Sequence, residues 1–198
     1  MGFSHSFVAT KSISKARLLE GLGLTETDVS GDIDVPLGGF GLSELPGDWL
    51  LVACNDFDLP RTAPLAAISE GGELICAAIE EHVMFSEAAG FRDGLQIWRV
   101  QHDPDRSYDD LKVDGAPPAA FGKLRDEARA EQDREGGEDA GVDFIFDVPP
   151  RLAASLCGFE FGQGDGEFVQ LTRIRKLKRS PAGRASKPGV LARLFGRR

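Results

Sequence analysis

An α+β fold is predicted, with a mainly antiparallel sheet, a few packing helices and a flexible basic C-terminal tail. Three features of the 198-residue sequence carry that expectation. Two short apolar runs, residues 49–55 (Trp-Leu-Leu-Val-Ala-Cys-Asn) and 74–81 (Leu-Ile-Cys-Ala-Ala-Ile-Glu-Glu), are bounded by turn residues and are apolar on both faces. Strands in the middle of a helix-covered sheet look like this. Residues 94–102 and 168–174 alternate apolar and polar side chains, as half-buried strands do. Helical patterns are few and follow no βαβ rhythm, and the link between 74–81 and 94–102 is too short for a doubly wound crossover.

The elements follow in order. Residues 3–11 alternate weakly and are expected as an edge strand. Ser14 is placed to cap a short helix through Gly21, with Ala16, Leu18 and Leu19 available for packing. Residues 25–45 are rich in Gly, Asp, Ser and Thr and read as an irregular connection. Pro46-Gly47-Asp48 and Gly71-Gly72 are turn chemistry before the two apolar strands. In 94–102, Leu95 and Ile97 point one way and Trp98, Val100 and His102 the other. Residues 111–113 are expected as a fourth strand. Pro117-Pro118 opens a helix to about Asp133, with Phe121, Leu124 and Ala128 as a narrow apolar stripe. A solvated loop over 134–141 leads to a short strand over 142–146. Pro149-Pro150 begins a helix whose terminating glycine is Gly158, and 168–174 forms a last edge strand.

The charge is divided unevenly. Residues 1–172 hold 13 Lys or Arg against all 32 acids, whereas 173–198 hold ten bases and no acid. The expected organisation is therefore one globular domain over 1–179 and a basic tail over 180–198. Thirteen Phe against one Tyr suit a dry core. Cys54, Cys76 and Cys157 are widely spaced among apolar residues and read as reduced core cysteines. Residues 1–11 lack the basic start and apolar run of a signal peptide. The apolar runs fall far short of the roughly 20 residues needed to cross a bilayer. These points give a cytoplasmic expectation, and 16 Arg against 7 Lys suits a bacterium with a GC-rich genome.

Strong catalytic signatures are missing from the sequence. Gly122-Lys123 lacks the flanking residues of a phosphate loop, and the glycines at 162, 164 and 166 do not match the dinucleotide fingerprint. There is no His-Glu-x-x-His, Cys-x-x-Cys or Gly-x-Ser-x-Gly. Asn55-Asp56-Phe57-Asp58 lacks the downstream Gly and Glu of a calcium loop. No metal or cofactor is expected. Glu80, Glu81 and His82 end one strand, and His102 with Asp103 ends another. If those strands pair as a hairpin, their ends lie at opposite edges of the sheet. Glu80 and Glu81, being adjacent, point to opposite faces and cannot form a carboxylate pair. Either one, if half-buried, would have a raised pKa suited to acid–base work. Trp49 and Trp98 are candidates to line a ligand pocket.

In the tail, 173–179 prolong the last strand before Ser180-Pro181 breaks it. As a helix, Val190, Leu191, Leu194 and Phe195 would share one side, opposite Arg193 and Arg197, with Arg198 at the end. Such a segment suits a protein partner or an anionic bilayer, where each base contributes about 1 kcal/mol. Nucleic acid is not expected, because stacking aromatics are absent from the basic run and the acidic body repels phosphate.

Leu45-Pro-Gly-Asp-Trp49, Glu80-Glu-His-Val-Met84, Ile97-Trp98 with His102-Asp103, and Val142-Asp143 with Ile145-Phe-Asp147-x-Pro149 together resemble a pattern in uncharacterised bacterial proteins. The resemblance spans about residues 3–160. It implies a bacterial cytosolic domain of unknown function and transfers no site residue.

The leading expectation is a non-enzymatic bacterial interaction protein. Its acidic surface would hold a basic protein partner, as small acidic inhibitors and immunity-type proteins do. The alternative is an enzyme or small-ligand binder with a site around Glu80, Glu81, His82 and His102. A chain ending at Thr172 is expected to stay folded, losing stability only at the last strand. Circular dichroism and urea titration check this, and global unfolding would make the tail structural.

Overall fold

The computed structural model describes residues 3–31, 39–162 and 167–174. Nine strands are described: β1 (Ser4–Lys11), β2 (Leu24–Gly31), β3 (Phe40–Leu45), β4 (Trp49–Cys54), β5 (Glu73–Glu80), β6 (Phe85–Arg92), β7 (Leu95–His102), β8 (Lys112–Gly115) and β9 (Phe168–Arg173). They form one sheet in the order β2-β9-β3-β4-β1-β5-β6-β7-β8, and every neighbouring pair is antiparallel. Five α-helices are described with them: α1 (Lys15–Leu22), α2 (Leu59–Thr62), α3 (Leu65–Ile68), α4 (Ala120–Arg134) and α5 (Val148–Cys157). The mixed α+β architecture with an antiparallel sheet is as the sequence predicts. The expected tail, its contact residues from Val190 to Arg198 and the boundary at 179/180 lie outside the described residues.

Period-two alternation divides the core into two layers. On one face Phe7, Ala9, Trp49, Leu51, Ala77 and Val100 meet the apolar sides of α4 and α5, with Phe121, Val148 and Leu152 buried between. On the other, Val8, Val52, Leu74 and Cys76 meet Leu18 and Leu22 of α1, Leu59 of α2, and Leu65 and Ile68 of α3. Helices on both sides therefore explain why 49–55 and 74–81 show no polar face.

The helix boundaries follow from local chemistry. Ser14 Oγ accepts the Arg17 N–H at 3.3 Å to cap α1, and Pro sits in the first turn of α5. Gly158 ends α5 in the left-handed conformation at φ 79°, its N–H donating to the Ala154 carbonyl.

Five expectations need correction. Residues 3–11 form no edge: β1 lies between β4 and β5, and its hydroxyl residues Ser6 and Thr10 are fully buried. Ser6 Oγ donates to the Asp56 carbonyl at 2.6 Å, so a residue that reads as solvent-facing is satisfied inside the protein. The stretch 25–45 contains β2 and β3, and β2 reads as a connection because it is a polar sheet edge. Residues 168–173 are interior, paired to both β2 and β3.

Residues 74–81 and 94–102 do not pair, because β6 runs between them. The Ser-Glu-Ala-Ala-Gly of β6 lacks the β-branched residues that mark strands. Finally, 142–146 is a turn. Asp143 Oδ1 accepts the N–H groups of Ile145 and Phe146, both at 3.0 Å, and draws the backbone out of an extended path.

The composition of β6 has a steric cause. A Cβ on Gly90 would sit 2.1 Å from Trp98 Nε1 and 2.5 Å from Cε2. The indole of Trp98 lies across the β6 backbone and is almost wholly buried. Gly90→Ala is expected to destabilise the protein by about 2 kcal/mol, as overpacked cores do, while Gly90→Val costs more. Urea titration measures both, and an unchanged midpoint for the valine variant would contradict this packing.

Candidate functional site

The antiparallel order places the ends of β5 and β7 at one end of the sheet, since β6 between them reverses once. Glu80 is opposite Phe85, and Ser86 is opposite His102. The two predicted clusters thus reach the same rim, but on opposite faces. His102 shares a face with Val100 and Trp98, under α4 and α5. Glu80 is on the other face, in register with Ser4.

Each sequence-named residue has a defined setting. His82 Nδ1 is 2.6 Å from Glu80 Oε1, and the His82 side chain is largely in solvent. Burial works to raise the Glu80 carboxyl, but hydrogen bonds from His82 and Ser4 prevail and hold it below the usual range. This is the reverse of the raised value a general acid needs. Glu81 accepts the Phe3 N–H at 3.0 Å. Trp49 and Trp98 line one cleft with Lys11, Arg92 and Ile97, although both indoles are mostly buried. Lys11 Nζ stands 5.8 Å from the Trp49 ring centroid. No group of three or more His, Cys, Asp or Glu able to hold a metal occurs among the described residues. No described helix is long and apolar enough to cross a membrane.

His102 organises the rim. It is fully buried, and both ring nitrogens are engaged. Nδ1 is 2.8 Å from the Asp110 carbonyl, which can only accept, so this nitrogen carries a proton. Nε2 is 2.8 Å from Asp143 Oδ2. One ring therefore ties the loop after β7 to the turn before α5. Burial pulls the His102 pKa down, but the hydrogen bonds to Asp143 and the Asp110 carbonyl, with the charges of both aspartates, raise it above its ordinary value.

The two loops joined by this ring are acidic. Asp105, Glu138 and Asp143, against Arg106 as the single base among the described residues, line one cleft with Tyr108, Gln132 and Val142. Buried Gln132 braces that wall, its Nε2 donating to the Gly137 carbonyl at 2.7 Å and its Oε1 accepting the Phe144 N–H at 2.9 Å. Asp147 registers the crowding of carboxylates from separate segments. Loss of hydration raises its pKa, Arg151 opposes the rise, and the charges of Asp143, Glu160 and Glu81 add to it. Exposed apolar side chains lie on the same segments: Phe3 and Val83 flank Glu81, Val142 adjoins Asp143, and Tyr108 sits in the aspartate loop.

A second constellation is absent from the sequence reading. Glu87 on β6 is only 6% exposed. It accepts Arg61 Nε at 2.7 Å, Gln101 Nε2 at 3.1 Å and Arg99 Nε at 3.2 Å, with Arg99 Nη2 also in contact. Burial alone would raise its pKa, but the two guanidiniums hold it below the usual glutamate range. The alternation of Arg99 and Gln101 against Trp98, Val100 and His102 was the available signal for this polar face. Its centre, Glu87, needed β6 to be recognised as a strand.

His102→Ala is expected to cost about 3 kcal/mol near pH 6, because it leaves Asp143 without its buried partner. Since the folded pKa of His102 is raised, its contribution is complete below the unfolded value of about 6.5 and is lost as pH rises through the folded value. The stability gap between wild type and His102→Gln should therefore shrink as pH rises from about 6.5 into the alkaline range. Urea titrations across that range test the sign, and a gap that widens with pH would overturn it.

The chain matches no protein-family model, no curated protein and no solved structure, so its residues and their geometry carry the functional reading.

Proposed function

We propose that the protein is a non-enzymatic interaction module whose acidic rim holds a basic protein partner, in the manner of small acidic inhibitors. One observation carries the reading. Carboxylates from three separate segments, Glu81, Asp143 with Asp147, and Glu160, lie close enough that their charges add to the rise burial gives the pKa of Asp147, against Arg151. Crowding like charges costs folding free energy to the extent that nearby cations, in the chain or in a partner, do not offset it. Lysine and arginine side chains of a partner would do so, and the field of the rim would speed their approach.

The exposed Phe3, Val83 and Val142 supply apolar contact area among the charges. Stable interfaces combine apolar anchors with a polar surround in this way. The residues named from sequence take different places in this reading: Glu81 is part of the binding surface, Glu80 and His82 are hydrogen-bonded to each other beside it, and His102 positions it from within.

The test compares the full chain with the triple variant Glu81→Gln, Asp147→Asn, Glu160→Gln in affinity capture from the source cells, followed by calorimetry with the captured protein. A basic partner is expected, held roughly tenfold more weakly by the variant and more weakly again as salt is raised. Equal capture by both forms, or binding indifferent to salt, would refute the acidic rim as the contact.

A further inference from the structure

The Glu87 constellation opens onto a cleft of about 550 Å³, between α2–α3 and the face of β6 and β7. That volume lies within the range of roughly 300–1,000 Å³ common for small-molecule sites. Its floor is made by Ala78, Ala89 and Cys76, and Pro64 and Phe91 stand at its sides. The charged lining residues are Arg61, Arg99 and Glu87. Two guanidiniums face one carboxylate, so the lining is net positive in a strongly acidic body.

The guanidiniums are held in place and keep donors in reserve. Arg61 lies over the rings of Phe57 and Phe85, 4.3 and 4.8 Å from their centroids, and gives only its Nε to Glu87. Its two terminal nitrogens have no hydrogen-bond partner among the described residues. Arg99 engages Glu87 through Nε and Nη2, which leaves Nη1. A fixed guanidinium fork with spare donors matches the geometry of a carboxylate, and fixing it beforehand lowers the entropy lost on binding. Beside it, the alanine floor offers an apolar surface.

We propose that this cleft binds a small organic monocarboxylate, its charged end on Arg61 and Arg99 and its hydrocarbon on Ala78 and Ala89. The single net positive charge of the lining suits one negative charge on the ligand. The cleft is a binding site without covalent chemistry: burial, with the charge of Glu87 adding to it, pushes the Cys76 thiol up to about 12. The thiol therefore stays protonated and unreactive. Neither the residues nor the ligand overlap with the acidic rim, so the two proposals stand or fall separately.

Titration of the full chain with benzoate, followed by heteronuclear NMR, provides the test. Benzoate is expected to bind with a Kd on the order of 1 mM, shifting the amides of β6, β7 and α2. Neutral benzamide and inorganic phosphate should each bind roughly tenfold more weakly. Arg61→Gln removes the spare donors, and Gln96→Trp fills the cleft from an exposed lining position without touching the ion network. Each should weaken benzoate binding roughly tenfold or more. If Arg61→Gln proves unfolded, Gln96→Trp still decides the matter. Benzamide binding as tightly as benzoate, phosphate binding more tightly, no saturable shift, or benzoate binding unaffected by Gln96→Trp would overturn the assignment.

Discussion

The buried ring of His102 is the contact on which one whole end of the molecule depends. It sits at the last position of β7 and holds the loop after that strand through Nδ1 and the turn before α5 through Nε2. Asp143 is shared: one oxygen meets the ring, and the other holds two backbone N–H groups of its own turn. The pair thereby fixes where α5 begins. That helix covers the centre of the sheet through Leu152 and Ala153. A polar group so deep is costly unless every donor and acceptor is matched, and here every one is.

The ionic contacts divide into two kinds that do different work. Arg17–Glu70, Lys15–Glu26 and Arg92–Glu73 are exposed pairs, each of small consequence for stability. Glu87 and His102 are buried and multiply bonded, so removing one partner leaves a charge stranded in a poorly hydrated place. They occupy opposite faces of the same two strands, β6 and β7, where Ser86 and Glu87 are consecutive. One face gives a cationic cleft and the other supports an acidic rim. Period-two alternation in two adjacent strands is enough to separate the two environments.

Legibility in the sequence followed the physics of each element. Strands buried on both faces announce themselves by apolar runs, and β4 and β5 were legible for that reason. Helices with a cap and a terminating glycine were legible too, as at Ser14 and Gly158. β6 was not, because its residues are chosen by neighbours distant in sequence. Gly90 makes room for Trp98, and Glu87 pairs with Arg61 from a helix 26 positions earlier. With β6 unread, 74–81 and 94–102 become a hairpin, and their ends fall at opposite edges. Restoring one strand reverses that and brings Glu80 and His102 to the same rim. Of the candidate site residues, Glu81 and His102 were thus named for their position without their role. Asp143 and Asp147 carry no sequence signal of their own, because a carboxylate that turns the backbone looks like any acid in a loop.

The same register revises the meaning of the charge division. β9 pairs with β3 so that Leu171 is opposite Phe40, and Phe40 is opposite Cys54. Arg173 therefore lies at the end of the sheet where β4, β5 and β7 finish, which is the end that carries the rim. Its guanidinium contacts Asp56 and stands 5.0 Å from the centroid of Phe40. Sequence distance suggests an acidic body and a basic segment held apart as two poles. Strand order instead puts the first of those bases at the same end of the sheet as the acids, in contact with Asp56 alone among the described ones. β9 and β7 are six strand spacings apart, roughly 29 Å, between three and four Debye lengths at physiological salt. Across that distance the field of Arg173 is screened. The positive charge that offsets Glu81, Asp143, Asp147 and Glu160 has to arrive within a few ångströms of them: Arg151 acts on Asp147, His102 bonds Asp143, and Arg106 lines the cleft beside Asp143.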